Sequence, residues 1–438
     1  MAKDNVSNAD LVFPSSFKPK LISGAEFTFF KEDERGRFYL MKNPENSKYL
    51  KLDESGKSAT QLLDGSRTLD EIDVILKKSW EFDAGKFIEV LARNGFLENV
   101  KIQKEKKTSE PYSFQIAVLK ADSKFLQKTC YHLRNIYGKR FFTIAPIVSI
   151  VFLTFFVLNA KNIFTDAFTL FSYETPVLPF LLALVIFFVT EFCHEFAHIA
   201  TACNYGCKPG EMGLEFNFGI PLFYAKTLDV RSHEVAKNIR VFLAGPLTTV
   251  LIAGFFTILY ILTPVWNYLW ADLAFFHVLS SLITMSPFIK TDGYYVVQSV
   301  LKFPNLFSHS MRYISHIIKR TFKIMSKKDY DEYMDTYSNS ERRILKVYSW
   351  TSLIGIVSLV LIFVVTLIQM RVIQVILLTG DLLYGQSQAY TLKQYVLWGF
   401  YMMSLFFSLV GVTILLAKNL KRRSSAKSIP SMTLLQPK

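Results

Sequence analysis

Two histidines and a glutamate carry the densest chemistry in this chain. Residues 191–200 read EFCHEFAHIA, and His194-Glu195-Phe196-Ala197-His198 has the spacing HExxH. Residues four apart on a helix face the same side, so both imidazoles can share one zinc ion, with Glu195 beside them to move protons. The surrounding segment, about 176–203, is apolar and long enough to cross a bilayer as a helix. Two histidines and two carboxylates, Glu191 and Glu195, are costly in such a segment unless partnered. They could satisfy one another inside a helix bundle. Ionisable groups in a span are functional by default, which favours the metal reading.

A zinc site that does chemistry needs a third protein ligand and one open position. The best candidate lies far downstream, in Ser286-Pro287-Phe288-Ile289-Lys290-Thr291-Asp292-Gly293-Tyr294-Tyr295. Asp292 falls at the end of an apolar segment, and Gly293 lets the backbone turn close to a site. Without the HExxH, Asp292 would read as an ordinary helix-end or turn residue. The other candidates serve less well. His277 sits in a span without a motif and reads as a satisfied core residue. His132, His233, His309 and His316 fall in polar segments, and Asp272 is expected near the opposite surface. Cys203-x3-Cys207 looks like half a metal site. No second Cys or His pair follows at suitable spacing, so Cys130, Cys193, Cys203 and Cys207 read as free thiols.

The elements that must position these residues are mostly membrane spans. The chain has 438 residues, 51% of them hydrophobic and 40 of them phenylalanine. Apolar runs fall at about 141–160, 176–203, 241–263, 269–288, 349–370 and 394–417. The fourth is the weakest, because Asp272 and His277 interrupt it. The net charge of +14 is concentrated in alternate loops. Residues 119–140, 204–240 and the tail after 418 are all basic, and 302–346 holds ten Lys or Arg. The intervening loops carry one, none and two. By the positive-inside rule the expectation is a mainly α, polytopic protein of the cell membrane, with about six spans and both termini cytosolic. The lipid bilayer is then a partner and nucleic acid is not, because topology and anionic lipid account for the basic charge. The polar start MAKDNVSNAD argues against an ordinary secretory signal peptide.

The chain divides by composition. Residues 1–20 read as a flexible N-terminus and 21–100 as a small α+β domain. Residues 101–140 read as a charged linker and basic juxtamembrane segment, and 141–302 as a membrane core. A cytosolic insertion, 303–346, follows, with an amphipathic first half suited to the membrane surface. Two further spans occupy 347–418, and 419–438 is a basic tail. Within 21–100, FTFFKEDERGRFYLMK reads as a hairpin, YLKLD as a strand and SGKSATQLL as a helix ending at Asp64-Gly65. Thr68 and Glu71 form a capping box before a helix whose apolar face is Leu69, Ile72 and Leu76. A third helix, about 83–94, shows Phe87, Val90 and Leu91, and FLENV reads as a final strand.

Two resemblances follow. The run Y-L-K-L-D, Leu62-Leu63-Asp64-Gly65-Ser66-Arg67-Thr68-Leu69-Asp70-Glu71-Ile72 and Leu91-Ala92-Arg93-Asn94-Gly95-Phe96-Leu97-Glu98 resembles the PqqD-like winged-helix domains of peptide-modification pathways. That resemblance implies that residues 21–100 bind a leader peptide as an added strand. The ordered set His194-Glu195-x-x-His198, Gly245-Pro246-Leu247 and Asp292-Gly293 resembles the site-2 protease family of intramembrane zinc metalloproteases. SPFIKTDGYYVV is similar to the peptide zinc metalloprotease branch of that family, and LEFNFGIPLFY to the family's loop between its first two core spans. The resemblance implies one Zn2+ held by His194, His198 and Asp292, with Glu195 as the general base. Run 214–224 would either pair with an unwound substrate or pack as a re-entrant loop. Thr249 and Ser286 stand where members often have Asn, which puts substrate clamping in question and leaves the metal site intact.

The implied activity is that of a zinc metalloendopeptidase that matures or degrades a small, ribosomally made and modified peptide. Two alternatives remain: cleavage of a transmembrane signalling protein, and a non-catalytic role in peptide export or immunity.

Overall fold

A computed structural model describes residues 13–367 apart from 45–48, 79, 81–82, 99, 103–112, 172–175, 218–219 and 228–234, together with 379 and 432–434. The protein is mainly helical, with small sheets, and divides into two compact units. One comprises Met1–Pro111 with Leu415–Lys438, the other Tyr112–Ile414.

In the first unit, β1 (Glu26–Asp33), β2 (Gly36–Lys42) and β3 (Tyr49–Asp53) form an antiparallel sheet in that order. The β1–β2 turn closes at Asp33 opposite Gly36, whose φ of 107° suits glycine. Three short helices follow: α1 (Glu54–Thr60), α2 (Leu69–Lys77) and α3 (Ala84–Arg93). Each starts at an acceptor side chain, Asp53, Thr68 or Asp83, that takes a backbone N–H of the first turn. Thr68 and Glu71 form the full capping box. Removing the Thr68 hydroxyl with Thr68→Ala is expected to cost about 1 kcal/mol. Hydrogen exchange at the α2 amides of the intact chain should then run about fivefold faster. Unchanged exchange would contradict that role.

Leu69, Ile72 and Leu76 are buried, as their spacing indicates. In α3 the buried stripe is Ala84, Ile88 and Leu91, while Val90 is exposed. Of the expected face, Leu91 is buried and Phe87 packs against the core, whereas Val90 points outward because 84, 88 and 91 keep the helical period. The final strand also lies later than FLENV. Leu97 makes a single bridge to Leu21, and β4 is Val100–Ile102, paired with β8 (Met432–Leu434).

The second unit corrects the reading of 101–140 as linker. Ser113–Leu119 is a strand, β5, paired along β6 (Met212–Asn217), which pairs in turn with β7 (Ile220–Ala225). Lys124–Leu133 forms helix α4. The run of charges before residue 113 masks the alternation of SFQIAV that a strand needs.

Among the described residues three helices are long and apolar enough to cross a membrane: α5 (Lys139–Ala167), α6 (Val177–Asn204) and α7 (Val235–Leu262). Their bounds match the first three apolar runs. Helix α7 is central, packing against α5, α6 and α8 (Asn267–Thr284). A Cβ at Gly254 would fall on the Phe152 ring, so glycine sets the close approach of α7 to α5. At the far end of these helices Asp166 accepts hydrogen bonds from Tyr260 at 2.8 Å and Asn267 at 3.4 Å. Helix α8 occupies the weak fourth run and buries both Asp272 and His277. Then come α9 (Asp292–Val300), α10 (Leu306–Thr321), α11 (Lys327–Asp335) and α12 (Asn339–Leu367). Tyr294, Phe303, Tyr313, Tyr330, Tyr337 and Tyr348 unite these last four helices in one aromatic core. The fifth apolar run falls largely on α12, and the sixth, 394–417, lies outside the described residues.

Candidate metal centre

Three of the helices in the second unit bring one group together. His194 and His198 project from one face of α6, about 15 Å and 9 Å before its end. Asp292 comes from the first turn of α9 rather than from the end of a span. Helix α8 stops at Thr284, and a turn reverses the chain before Asp292. That turn is held from several sides. The Thr291 hydroxyl donates to the Ser286 carbonyl at 2.9 Å. The Tyr348 hydroxyl donates to Pro287 O at 2.7 Å, and Ser352 to Phe288 O at 3.2 Å. A Cβ at Gly293 would collide with the Met285 carbonyl, so glycine lets α9 start directly under the turn. Phe242 of α7 stacks on Tyr295 at 5.0 Å and fixes the side of α9 that carries Asp292. Ser286, one of the two departures noted above, serves this turn by accepting the Phe288 N–H at 3.3 Å.

The three side chains then converge as a triangle of residues, with Asp292 turning one oxygen to each histidine. His194 Nε2 lies 3.2 Å from Asp292 Oδ2, His198 Nε2 lies 3.4 Å from Asp292 Oδ1, and the two Nε2 atoms are 3.3 Å apart. Both histidines are buried, at 2% and 5% exposure. The outer nitrogen of His198 donates to the Val241 carbonyl at 2.7 Å, because a carbonyl can only accept. In the neutral ring that leaves Nε2 as a bare lone pair turned inward. A proton or a metal ion shared among these groups would offset their mutual repulsion. A tetrahedral ion with bonds of about 2.1 Å has ligand–ligand edges of about 3.4 Å, and one ligand atom from each of the three residues lies within 4.8 Å of the others. The group can therefore hold one metal ion.

Glycine provides the room. A Cβ built at Gly245 of α7 would land on the Nε2 atoms of both histidines. Gly245→Ala should raise helix propensity by about 1 kcal/mol yet weaken metal binding at least tenfold, with the chain still folded. Full metal affinity in that variant would contradict this geometry.

Glu195 sits beside the triangle and outside it. Among the described residues no hydrogen bond claims its carboxylate, and it is only partly buried. One turn earlier on α6, Glu191 Oε1 accepts from Ser280 of α8 at 3.1 Å.

The remaining candidates lie elsewhere. His277 is a satisfied core residue, with Nδ1 on Leu273 O at 2.6 Å and Nε2 on Thr190 Oγ1 at 2.5 Å. His309 bonds the Tyr337 hydroxyl, His316 stacks on Tyr333, and His132 lies on α4 beside Tyr131. His233 lies outside the described residues. Asp272 is buried away from the triangle. None of the four cysteines is in a disulfide.

The sequence reading singled out Gly245 and Thr249 on α7 but missed Val241 and the contact of all three with the histidines. Val241, Gly245 and Thr249 recur every four residues and face a histidine pair with the same spacing. That shared period is a visible signal, once the two helices are known to pack.

Beside the site, Phe223 of β7 packs edge-on against Phe188 and Phe192 of α6. The sheet thus lies along the stripe of α6 that includes Phe188, Phe192 and Glu195. Run 214–224 is not one strand but most of a hairpin, and β5 covers the outer edge of β6. Near its base, Tyr224 donates to Glu211 at 3.0 Å. Burial, and then that carboxylate, push the Tyr224 hydroxyl up to about 12.

No protein-family model, no curated protein and no solved structure matches the chain.

Proposed function

We propose that this chain is an intramembrane zinc metallopeptidase of the site-2 protease type. The observation that carries the reading is the triangle of His194, His198 and Asp292 with the unclaimed carboxylate of Glu195 beside it. His194, His198 and Asp292 would hold the ion, and zinc suits two imidazoles and one carboxylate. Zinc supplies Lewis acidity toward a carbonyl and an attacking water. Glu195 takes the proton of that water and delivers it to the departing amine. The buried site keeps other water away and strengthens these charge interactions.

A peptide bond must be extended to be cut, and the sheet offers a template. Asn217 pairs with Ile220 across the hairpin and Lys226 N bonds Glu211 O, so alternate residues of β7 face β6. The N–H groups of Phe223 and Ala225 then point to the other edge. The sheet has two outer edges, on β5 and on β7, and the β7 edge is the one on the strand that packs against α6, which suits it for a substrate strand.

The wider frame of the proposal is a multi-pass protein of the cell membrane. It has six spans, basic loops inside and both termini cytosolic. Residues 21–100 form a winged-helix domain that takes a leader peptide at the edge of β1. Phe29 is 55% exposed on that edge strand. The substrate is accordingly a small peptide with a leader.

The test compares cells that make the wild-type chain with cells that make Glu195→Gln. Accumulation of an uncut small peptide in the variant supports the proposal. Accumulation of a single-span membrane protein instead would move the reading to signalling proteolysis. Identical peptide and protein profiles would overturn both.

A further inference from the structure

We infer that Thr249 is the positioning residue for His194, setting which imidazole nitrogen faces the metal. This rests on the proposed metal site and deepens it. Thr249 lies on α7 and is 1% exposed. Its Oγ1 is 2.7 Å from His194 Nδ1 and 3.3 Å from the Gly245 carbonyl. A hydroxyl has one proton to give, and the Gly245 carbonyl can only accept it. With the hydroxyl proton directed to Gly245 O, the Thr249 oxygen accepts and His194 Nδ1 carries the hydrogen. The relay runs His194 Nδ1–H to Thr249 O–H to Gly245 O.

The consequence reaches the site. With the proton fixed on Nδ1, His194 Nε2 presents a lone pair toward Asp292 Oδ2 and His198 Nε2. The opposite tautomer would place an N–H there and close that position to a metal. His198 needs no such device, because a carbonyl, Val241 O, already fixes its tautomer. The two histidines are thus oriented by different chemistry. One partner is a backbone acceptor that no side-chain change removes. The other is a hydroxyl that a single substitution deletes.

This also reassigns Thr249. Its burial against His194 leaves no surface with which to grip a substrate. A threonine at this place is an orienting group for a ligand. Outer partners of metal-bound histidines typically contribute 10–100-fold in affinity.

The experiment measures Zn2+ and Co2+ binding to the purified full-length chain in detergent. Wild type is compared with Thr249→Val, Thr249→Ala and Thr249→Ser. Valine keeps the shape and removes the oxygen, and serine keeps the oxygen and removes a methyl. The expected result is a 10–100-fold weaker Kd for Thr249→Val and Thr249→Ala, with Thr249→Ser within about threefold of wild type. The visible spectrum of the Co2+ form should shift in the first two and hold in the third. Wild-type affinity in Thr249→Val, or an equal loss in Thr249→Ser, would overturn the inference. Should Thr249→Val not fold, Thr249→Ala against Thr249→Ser decides by the same rule. Wild type that binds metal but cuts no peptide would sink the peptidase reading while this pattern could still stand.

Discussion

Glu195→Gln is expected to lower peptide hydrolysis by about 10²–10⁴-fold and to leave the metal content unchanged. Glutamine keeps the length and shape of the side chain and removes its capacity to take a proton. Glu195 is not one of the three converging ligands, so its loss should not release the ion. Its carboxylate is also uncommitted among the described residues, so the substitution breaks no structural hydrogen bond. The separation of the two readouts is the informative part. A structural role would lower stability and metal content together, whereas a general base lowers the rate alone. Cleavage at the wild-type rate would rule Glu195 out as the base.

Asp292→Ala should have the opposite signature, with metal lost and activity lost with it. Removing one of about four ligands from a site whose ion contributes about 10–16 kcal/mol costs about 2.5–4 kcal/mol, or about 10²–10³-fold in affinity. The loss also leaves His194 and His198 with Nε2 atoms 3.3 Å apart and no carboxylate to neutralise a shared cation. Because a ligand bound only by the folded state adds stability, wild type at saturating zinc should gain about 4 kcal/mol over the metal-free chain. At the same zinc concentration Asp292→Ala should gain only about 0.4–1.4 kcal/mol. The readout is the thermal midpoint with and without zinc, beside metal analysis of the same samples. A zinc-dependent shift as large as that of wild type would show that Asp292 is not a ligand.

Much of this site is legible in the sequence, and the reasons differ by residue. His194 and His198 stand out because a helix brings positions four apart to one face. Asp292 is 98 residues away from His194, and nothing in its own spacing links them. Only the ordered motif set points to it, and the turn held by Ser286, Thr291 and Tyr348 explains how it arrives. Thr249 reads as a departure from a family pattern, and its bond to His194 depends on how α7 is rotated about its axis. The Val241 carbonyl has no sequence signature, since every residue has one. Strand β5 is hidden by the charges that precede it, and its pairing with β6 spans about a hundred residues. Composition alone cannot report so distant a pairing. The capping box of α2 is legible, because every partner lies within four residues.

Zinc-edge X-ray absorption of the purified wild-type chain tests the central claim most directly. The account predicts about one zinc per chain, bound by two imidazole nitrogens and by oxygen at about 2.0–2.1 Å, with no sulfur ligand. A zinc–sulfur distance of about 2.3 Å would place the ion on the cysteines. That result, or a chain that takes up no zinc, would contradict the assignment of His194, His198 and Asp292 as the metal site.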